Sequence, residues 1–222
     1  KDYRSYYALA YANKEDLKRY YIVKGKEVYN RLIARKQLAE KQKQSGNIGA
    51  ALETYVGMLP LFPELLEYRS VYTVVANNGT GETYLSAIGA TEVRTRSLLR
   101  QIENEVQHKI QELQKSPTQS VDSALEKIAV LFSYQGLQKG AITVPAFLYK
   151  NSDFSSSFGH YVGRQIETVL TNSLPSGGSK TIIKGTYWES GEQIDLYVLA
   201  QDVENGKQIG AAYASFPKSS IP

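Results

Sequence analysis

The chain has no cysteine among its 222 residues, two histidines (His108 and His160), one methionine and one tryptophan. Without thiols there are no disulfides, thiolate metal sites or cysteine nucleophiles. Two histidines exclude a metal centre built on three. The longest strongly apolar stretch, about Ala141 to Tyr149, falls short of the ~20 residues that a membrane-spanning helix needs. No secretory signal opens the chain, and Lys1-Asp2-Tyr3 reads as an interior start, as if a leader or earlier segment had been removed. What is plentiful is tyrosine, 17 residues against 6 phenylalanines, in a chain 42% hydrophobic and 22% charged. That composition is globular, and a chain of this length buries roughly 70% of its unfolded surface, enough for a core without staples.

The net charge of +4 is unevenly spread, with 12 basic and 5 acidic residues in residues 1–43. A basic segment can bind nucleic acid or anionic lipid. Scattered through a helical pattern, the same residues also read as a solvated face. Tyr3, Tyr6, Tyr7, Tyr11, Tyr20, Tyr21 and Tyr29 crowd this region. Tyrosine can line helix packing, anchor a protein interface, or stack bases and sugars.

The first half has helical periodicity. Between about Lys14 and Gln44 there is no proline and one glycine, Gly25. Leu17, Tyr21, Val28, Leu32 and Ala39, with Ile22, Tyr29 and Ile33 in a parallel row, make one broad apolar stripe. Asn13 is the expected N-cap and Gly46 the expected left-handed stop. Helices are also expected over Glu64–Ala76 and about Thr91–Gln114, separated by an Asn77–Gly81 loop. That loop lacks the phosphate-loop pattern and reads as a turn. Ser116-Pro117 marks the expected domain boundary: residues 1–116 helical, residues 117–222 an α/β domain.

The second half changes period. Ser120 caps an expected helix with Ala124, Leu125, Ile128, Ala129 and Phe132. An apolar strand follows at Ala141–Phe147, then a helix with Phe158, Tyr161, Val162, Ile166, Val169 and Leu170. Thr181–Trp188, the alternating Ile194, Leu196, Val198 and Ala200, and Gln208–Phe216 read as three consecutive antiparallel strands. Their turns lie at Glu189–Glu192 and at Glu204-Asn205-Gly206. The fold class is α+β: N-terminal helical hairpins, then an α/β domain ending in an antiparallel meander.

Two resemblances follow from these motifs. Gly46, Ile48, Ala51, Tyr55, Met58 and Pro63 occupy the positions of a tetratricopeptide motif, as a single unit without a second copy. The last 100 or so residues resemble the α/β domain of bacterial envelope lipoproteins of the penicillin-binding-protein activator, curli-secretion and flagellar outer-membrane types. Ile142-Thr143-Val144-Pro145-Ala146-Phe147 matches the opening strand and Phe154–Leu170 the following helix. Ile183-Lys184-Gly185-Thr186-Tyr187-Trp188 matches an I-x-G-x-Y strand, and Leu199–Lys207 an L-x-x-D-x-x-x-G-K hairpin. Gly46, Ala51, Leu52 and Tyr55 also resemble the helical stalk that precedes such domains. Those domains carry a further strand where this chain has only Thr171–Lys180.

The resemblance implies a periplasmic ectodomain, lipid-anchored at the outer membrane through a cysteine upstream of this chain. It implies a non-enzymatic binding or assembly factor for an envelope protein, with no cofactor and no nucleic acid. Phe154, Phe158, Tyr187 and Trp188, the aromatics of the matching helix and strand, are the candidate partner-binding residues.

Two other readings stay open. Asp153, Ser155, Ser156, Ser157 and His160 contain the residue types of a hydrolytic triad, without the Gly-x-Ser-x-Gly elbow. An acid or serine there also reads as a helix cap. Nucleic-acid binding through the basic first 43 residues is the other. The carboxylate pairs Glu103/Glu105, Glu189/Glu192 and Asp202/Glu204 invite acid–base chemistry or, with Asn205, weak calcium ligation. Two of these pairs lie at turns, where solvated acids are ordinary, and the 12-residue calcium loop is absent.

Overall fold

The structure, a computed structural model, describes residues 13–76, 81–90 and 96–222. Expectations for Tyr3, Tyr6, Tyr7, Tyr11 and Asn77–Thr80 lie outside the described residues. The chain is mixed α+β: helices α1 (Lys14–Gln44), α2 (Ile48–Val56), α3 (Leu61–Val75), α4 (Gly81–Ala87), α5 (Arg96–Lys115) and α6 (Val121–Tyr134) come first. Short strands β1 (Ile142–Thr143) and β2 (Leu148–Tyr149), helix α7 (Ser157–Ser173) and strands β3 (Thr181–Ser190), β4 (Gln193–Asp202) and β5 (Gln208–Pro217) follow.

The contacts divide the chain into two compact units. One comprises residues 1–37 and 57–108, the other residues 38–56 and 109–222. The division therefore falls inside α1 and α5 rather than at residue 116. The reason is packing: α2 lies against α6, so the hairpin of late α1 and α2 shares a core with the α/β elements.

In the first unit, Gly25 explains the one glycine of α1. A Cβ there would lie 1.8 Å from the Tyr84 hydroxyl oxygen, so the bare backbone makes room for that ring. Tyr84 is fully buried, donates to the Tyr21 carbonyl at 3.0 Å and tilts against Tyr72 at 5.1 Å. Tyr21 bridges Tyr20 and Tyr68. The described tyrosines of this unit mainly pack, although Tyr20 remains 53% exposed. Pro63 does not close a turn but lies in the first turn of α3, which begins earlier than expected. Proline is tolerated there because its missing N–H had no helical acceptor.

In the second unit the ends of the elements follow their sequence signals. Gly46 adopts φ 77° after α1, and Asn47 N–H reaches back to the Gln42 carbonyl at 2.9 Å. Ser120 and Ser123 form a reciprocal capping box on α6. The sheet order is β1-β3-β4-β5, with β2 also on β3. β1 and β2 run parallel to β3 along one edge, Ile142 opposite Thr181 and Leu148 opposite Thr186.

The apolar run read as one strand through Phe147 is thus broken in two. Pro145 offers no N–H to the ladder, and the Phe147 N–H bonds instead to the Gly159 carbonyl of α7 at 3.1 Å. Two α7 glycines permit this approach. A Cβ on Gly159 would fall 2.2 Å from the Phe147 carbonyl oxygen, and one on Gly163 would fall 3.1 Å from that of Pro145. The Phe147 ring lies over Gly185 and is fully buried.

β3, β4 and β5 form the meander, with Gly191 (φ 60°) in the first turn. The Asn-Gly turn is a longer loop than a two-residue hairpin. The Asp202 carboxylate accepts the Glu204 and Asn205 N–H groups, Gly206 takes φ 67°, and the register shifts at Ala200/Gln201. Ile183, Leu196, Val198, Ala214 and Phe216 face inward and are at most 0% exposed. The outer edge of β5 is closed by the Gln135 side chain and the Thr118 backbone. The Gln135 amide bonds both the Ala211 carbonyl (2.7 Å) and its N–H (2.8 Å), and the Thr118 N–H bonds the Ser215 carbonyl at 2.7 Å. Such plugs remove the template that an open edge offers to another strand.

Candidate functional site

The C-terminal ends of β2 and β3 and the N-terminus of α7 converge on an aromatic cluster. Parallel pairing sets Tyr149 beside Tyr187, and their rings meet edge to face at 5.6 Å. Phe158, on the first turn of α7, meets Tyr187 at 5.1 Å and Phe216 at 6.3 Å. Ser156 caps α7 by accepting the Gly159 N–H at 3.2 Å, and its hydroxyl shares a second hydrogen bond with the Tyr187 hydroxyl. One serine thus fixes both the helix start and the ring of β3.

The loop after β2 is rigidly built. Asn151 takes φ 61°, a conformation asparagine tolerates better than most residues. Tyr149 N–H donates to the Phe154 carbonyl at 2.9 Å, Phe154 N–H to the Ser152 hydroxyl at 3.2 Å, and Lys150 N–H to the Tyr187 carbonyl at 2.9 Å. On this frame the Phe154 ring projects outward, 63% exposed, with Tyr149 38% exposed beside the loop. The Lys150 ammonium stands 4.1 Å above the Trp188 ring, a cation–π contact. At the end of β3, Glu189 pairs with Lys218 at 2.5 Å, and that hydrogen bond holds the lysine above its usual pKa.

Of the four candidate partner-binding residues, then, Phe154 is fully presented and Trp188 half-exposed. Phe158 is half-buried in the cluster, and Tyr187, 6% exposed, acts from below as support. Tyr149 and Lys150 were missed. An aromatic–basic pair at a strand end was the available signal, but their placement depends on the break at Pro145.

The triad residue types do not assemble into a relay. Asp153 and His160 are exposed, Ser156 is committed to the cap and Tyr187, and the Ser155 hydroxyl is buried without a partner. Among the described residues no hydrogen bond joins an acid, His160 and a serine. The two grooves described in this unit are lined elsewhere, one of ≈ 370 Å³ at Gly49, Glu53, Glu126 and Ser133, the other at Gln138, Gly177 and Lys207.

The carboxylate pairs are separated by their own bonds. Glu105 pairs with Lys36, Glu189 with Lys218, and Asp202 accepts from the Ser179 hydroxyl as well as its turn. That hydroxyl, and then the turn N–H groups, hold the Asp202 carboxyl below its usual pKa. No group of three metal-ligating side chains occurs among the described residues. Along α1, Lys18, Lys24, Arg31, Lys36 and Lys43 each pair with a glutamate, so much of the basic face is already compensated.

One buried cation was not anticipated. Lys127 on α6 is 0% exposed, donates to the Ser116 carbonyl at 2.7 Å, and burial pushes its amine down to about 8.

The site and fold define an α+β domain with an aromatic tip on one end of a mixed sheet. Comparison with protein-family models, curated proteins and solved structures finds no match.

Proposed function

We propose that the chain is the ectodomain of a periplasmic, outer-membrane-anchored lipoprotein, a non-enzymatic factor that binds an envelope protein through the tip formed by Tyr149, Phe154 and Trp188. The observation that carries the reading is Phe154, an apolar ring 63% exposed on a loop tied down by its own backbone. Holding such a ring in water costs free energy, and a preorganised aromatic anchor recovers it on docking with little entropy loss. The order of helix, parallel edge, helix and antiparallel meander is compatible with the lipoprotein resemblance. The hairpin of late α1 and α2, with Ala51 and Tyr55 buried, supports a tetratricopeptide-like unit as its neighbour.

The test is to express the full-length gene in its own host, fractionate the cells, and install a photocrosslinker at position 154 or at the exposed Glu167 of α7. The expected result is outer-membrane fractionation and one discrete envelope-protein adduct from position 154 alone. A cytosolic location, or equal adducts from both positions, overturns the reading.

A further inference from the structure

We infer that Asn205 is a latent modification site: its deamidation to aspartate and isoaspartate is held off by the closed turn between β4 and β5 and proceeds when that turn opens. Asn-Gly occurs twice in the sequence, at residues 78–79 and 205–206. The pair favours this chemistry because glycine has no Cβ to shield its nitrogen or restrict its backbone. The Gly206 nitrogen gives its proton to hydroxide and bonds to Asn205 Cγ. The Cγ–Nδ2 bond then breaks, and the nitrogen leaves as ammonia with a proton from water. Water opens the five-membered imide at either carbonyl, so the net change is one water in and one ammonia out. Both residues are exposed, and a Cβ on Gly206 would meet nothing within 4 Å. Hydroxide and water therefore reach the pair.

The fold withholds both reactants. The Gly206 N–H, whose proton must leave, donates to the Asp202 carbonyl at 2.9 Å. A carbonyl accepts that hydrogen bond without taking the proton, so the nitrogen stays a poor nucleophile. The same bond closes one helical turn and fixes the backbone between Asn205 and Gly206. The electrophile is tied as well, since Asn205 Oδ1 accepts the Lys207 N–H at 2.8 Å. To bring Cγ onto the Gly206 nitrogen, the side chain must move against that bond.

Asp202 is the guard of this arrangement. Its Oδ1 accepts the Glu204 N–H at 2.8 Å and the Asn205 N–H at 3.2 Å. Its Oδ2 accepts the Ser179 hydroxyl at 2.8 Å, and its own N–H donates to the Lys207 carbonyl at 2.9 Å. One residue thus ties the turn both to itself and to the segment before β3. Opening the turn breaks at least the Gly206 and Lys207 bonds, and Asn205 reacts only in the fraction of molecules that are open. The product resists reclosure. It sets a new carboxylate beside those of Asp202 and Glu204, and isoaspartate adds a methylene to the backbone close to the register shift at Ala200/Gln201. Each opening that reacts is therefore recorded irreversibly.

The test is to hold the whole chain at mildly alkaline pH, folded in buffer and unfolded in urea. Mass spectrometry then follows amide-to-acid conversion in the tryptic peptide of residues 185–207, where Asn205 is the only asparagine. The expected rate at Asn205 is at least ~10-fold slower in the folded chain, the factor that ~1.4 kcal/mol of turn opening gives. Asp202→Ala, checked for folding by circular dichroism, should recover most of the urea rate. Asp202→Asn keeps an oxygen acceptor and should stay slow. Hydrogen exchange at the Gly206 amide of the unaltered chain should be slowed by a similar factor, and this measurement decides the matter should Asp202→Ala fail to fold. A folded chain that converts Asn205 as fast as the unfolded one overturns the inference, as does a Gly206 amide that exchanges at the unprotected rate. A folded Asp202→Ala chain that converts no faster than the unaltered one overturns the role of Asp202.

Discussion

Replacing Lys127 by methionine makes the sharpest test of the packing between α6 and its neighbours. The amine is wholly buried, with one carbonyl partner at 2.7 Å, and burial lowers it from 10.5 to about 8. A depression of that size corresponds to about 3 kcal/mol between charged and neutral forms. The unfolded lysine keeps its proton to about 10.5, whereas the folded one releases it near 8. Between those values the unfolded chain binds more protons, so stability from this group rises with pH there. Below pH 8 both states are charged and the full cost is present.

Lys127→Met removes that cost and also the Ser116 hydrogen bond, which contributes about 1 kcal/mol. At pH 7 the variant should therefore be more stable by about 2 kcal/mol, and near pH 10.5 less stable by about 1 kcal/mol. Urea melts followed by circular dichroism at intervals from pH 7 to 10.5 give the difference, in which other titrating groups cancel. A difference that stays flat within about 0.5 kcal/mol across that range refutes the reasoning. It would mean that the carbonyl at the end of α5 compensates the charge.

Two further substitutions probe the frame of the sheet. Gly159→Ala places a methyl 2.2 Å from the Phe147 carbonyl oxygen and should cost about 1–3 kcal/mol in urea melts as α7 is forced off the β1–β2 edge. An unchanged midpoint would show that this approach is looser than described. Gln135→Ala frees both backbone groups of Ala211 and should cost about 1–2 kcal/mol. It should also accelerate hydrogen exchange at the Ala211 amide, and unchanged exchange there would count against the plug.

Much of the fold was legible because its signals are local. Asn13, Gly46 and Ser120 announce helix ends through their own side chain or backbone, and α1 and α6 begin and end close to where those residues place them. The alternation in β4 gives its inner face directly. What was not legible depends on distant partners. The strand at Ile142–Phe147 breaks because Pro145 meets a glycine face of α7 fourteen or more residues away, and residues 38–56 join the sheet domain because α2 finds α6. The candidate site divides the same way. Phe154 was named as an aromatic of the segment that matches the lipoprotein resemblance, and it is exposed. Tyr187 was named as an aromatic of the matching strand but is buried, since Tyr149 reaches it from β2 and Ser156 and Phe158 from the start of α7. Lys127 escaped notice because a lysine within an amphipathic helix reads as surface until the opposing helix end is placed.

The fit of Tyr84 against Gly25 also constrains how this chain can vary. The ring occupies the volume that any side chain at position 25 would need, so the two positions cannot drift independently. Among chains sharing this fold, a larger residue at position 25 should accompany a smaller one at position 84, and a tyrosine at 84 should be found only with glycine at 25. The pair is thus a recorded dependency between two segments 59 residues apart in sequence, readable in any future alignment without a structure.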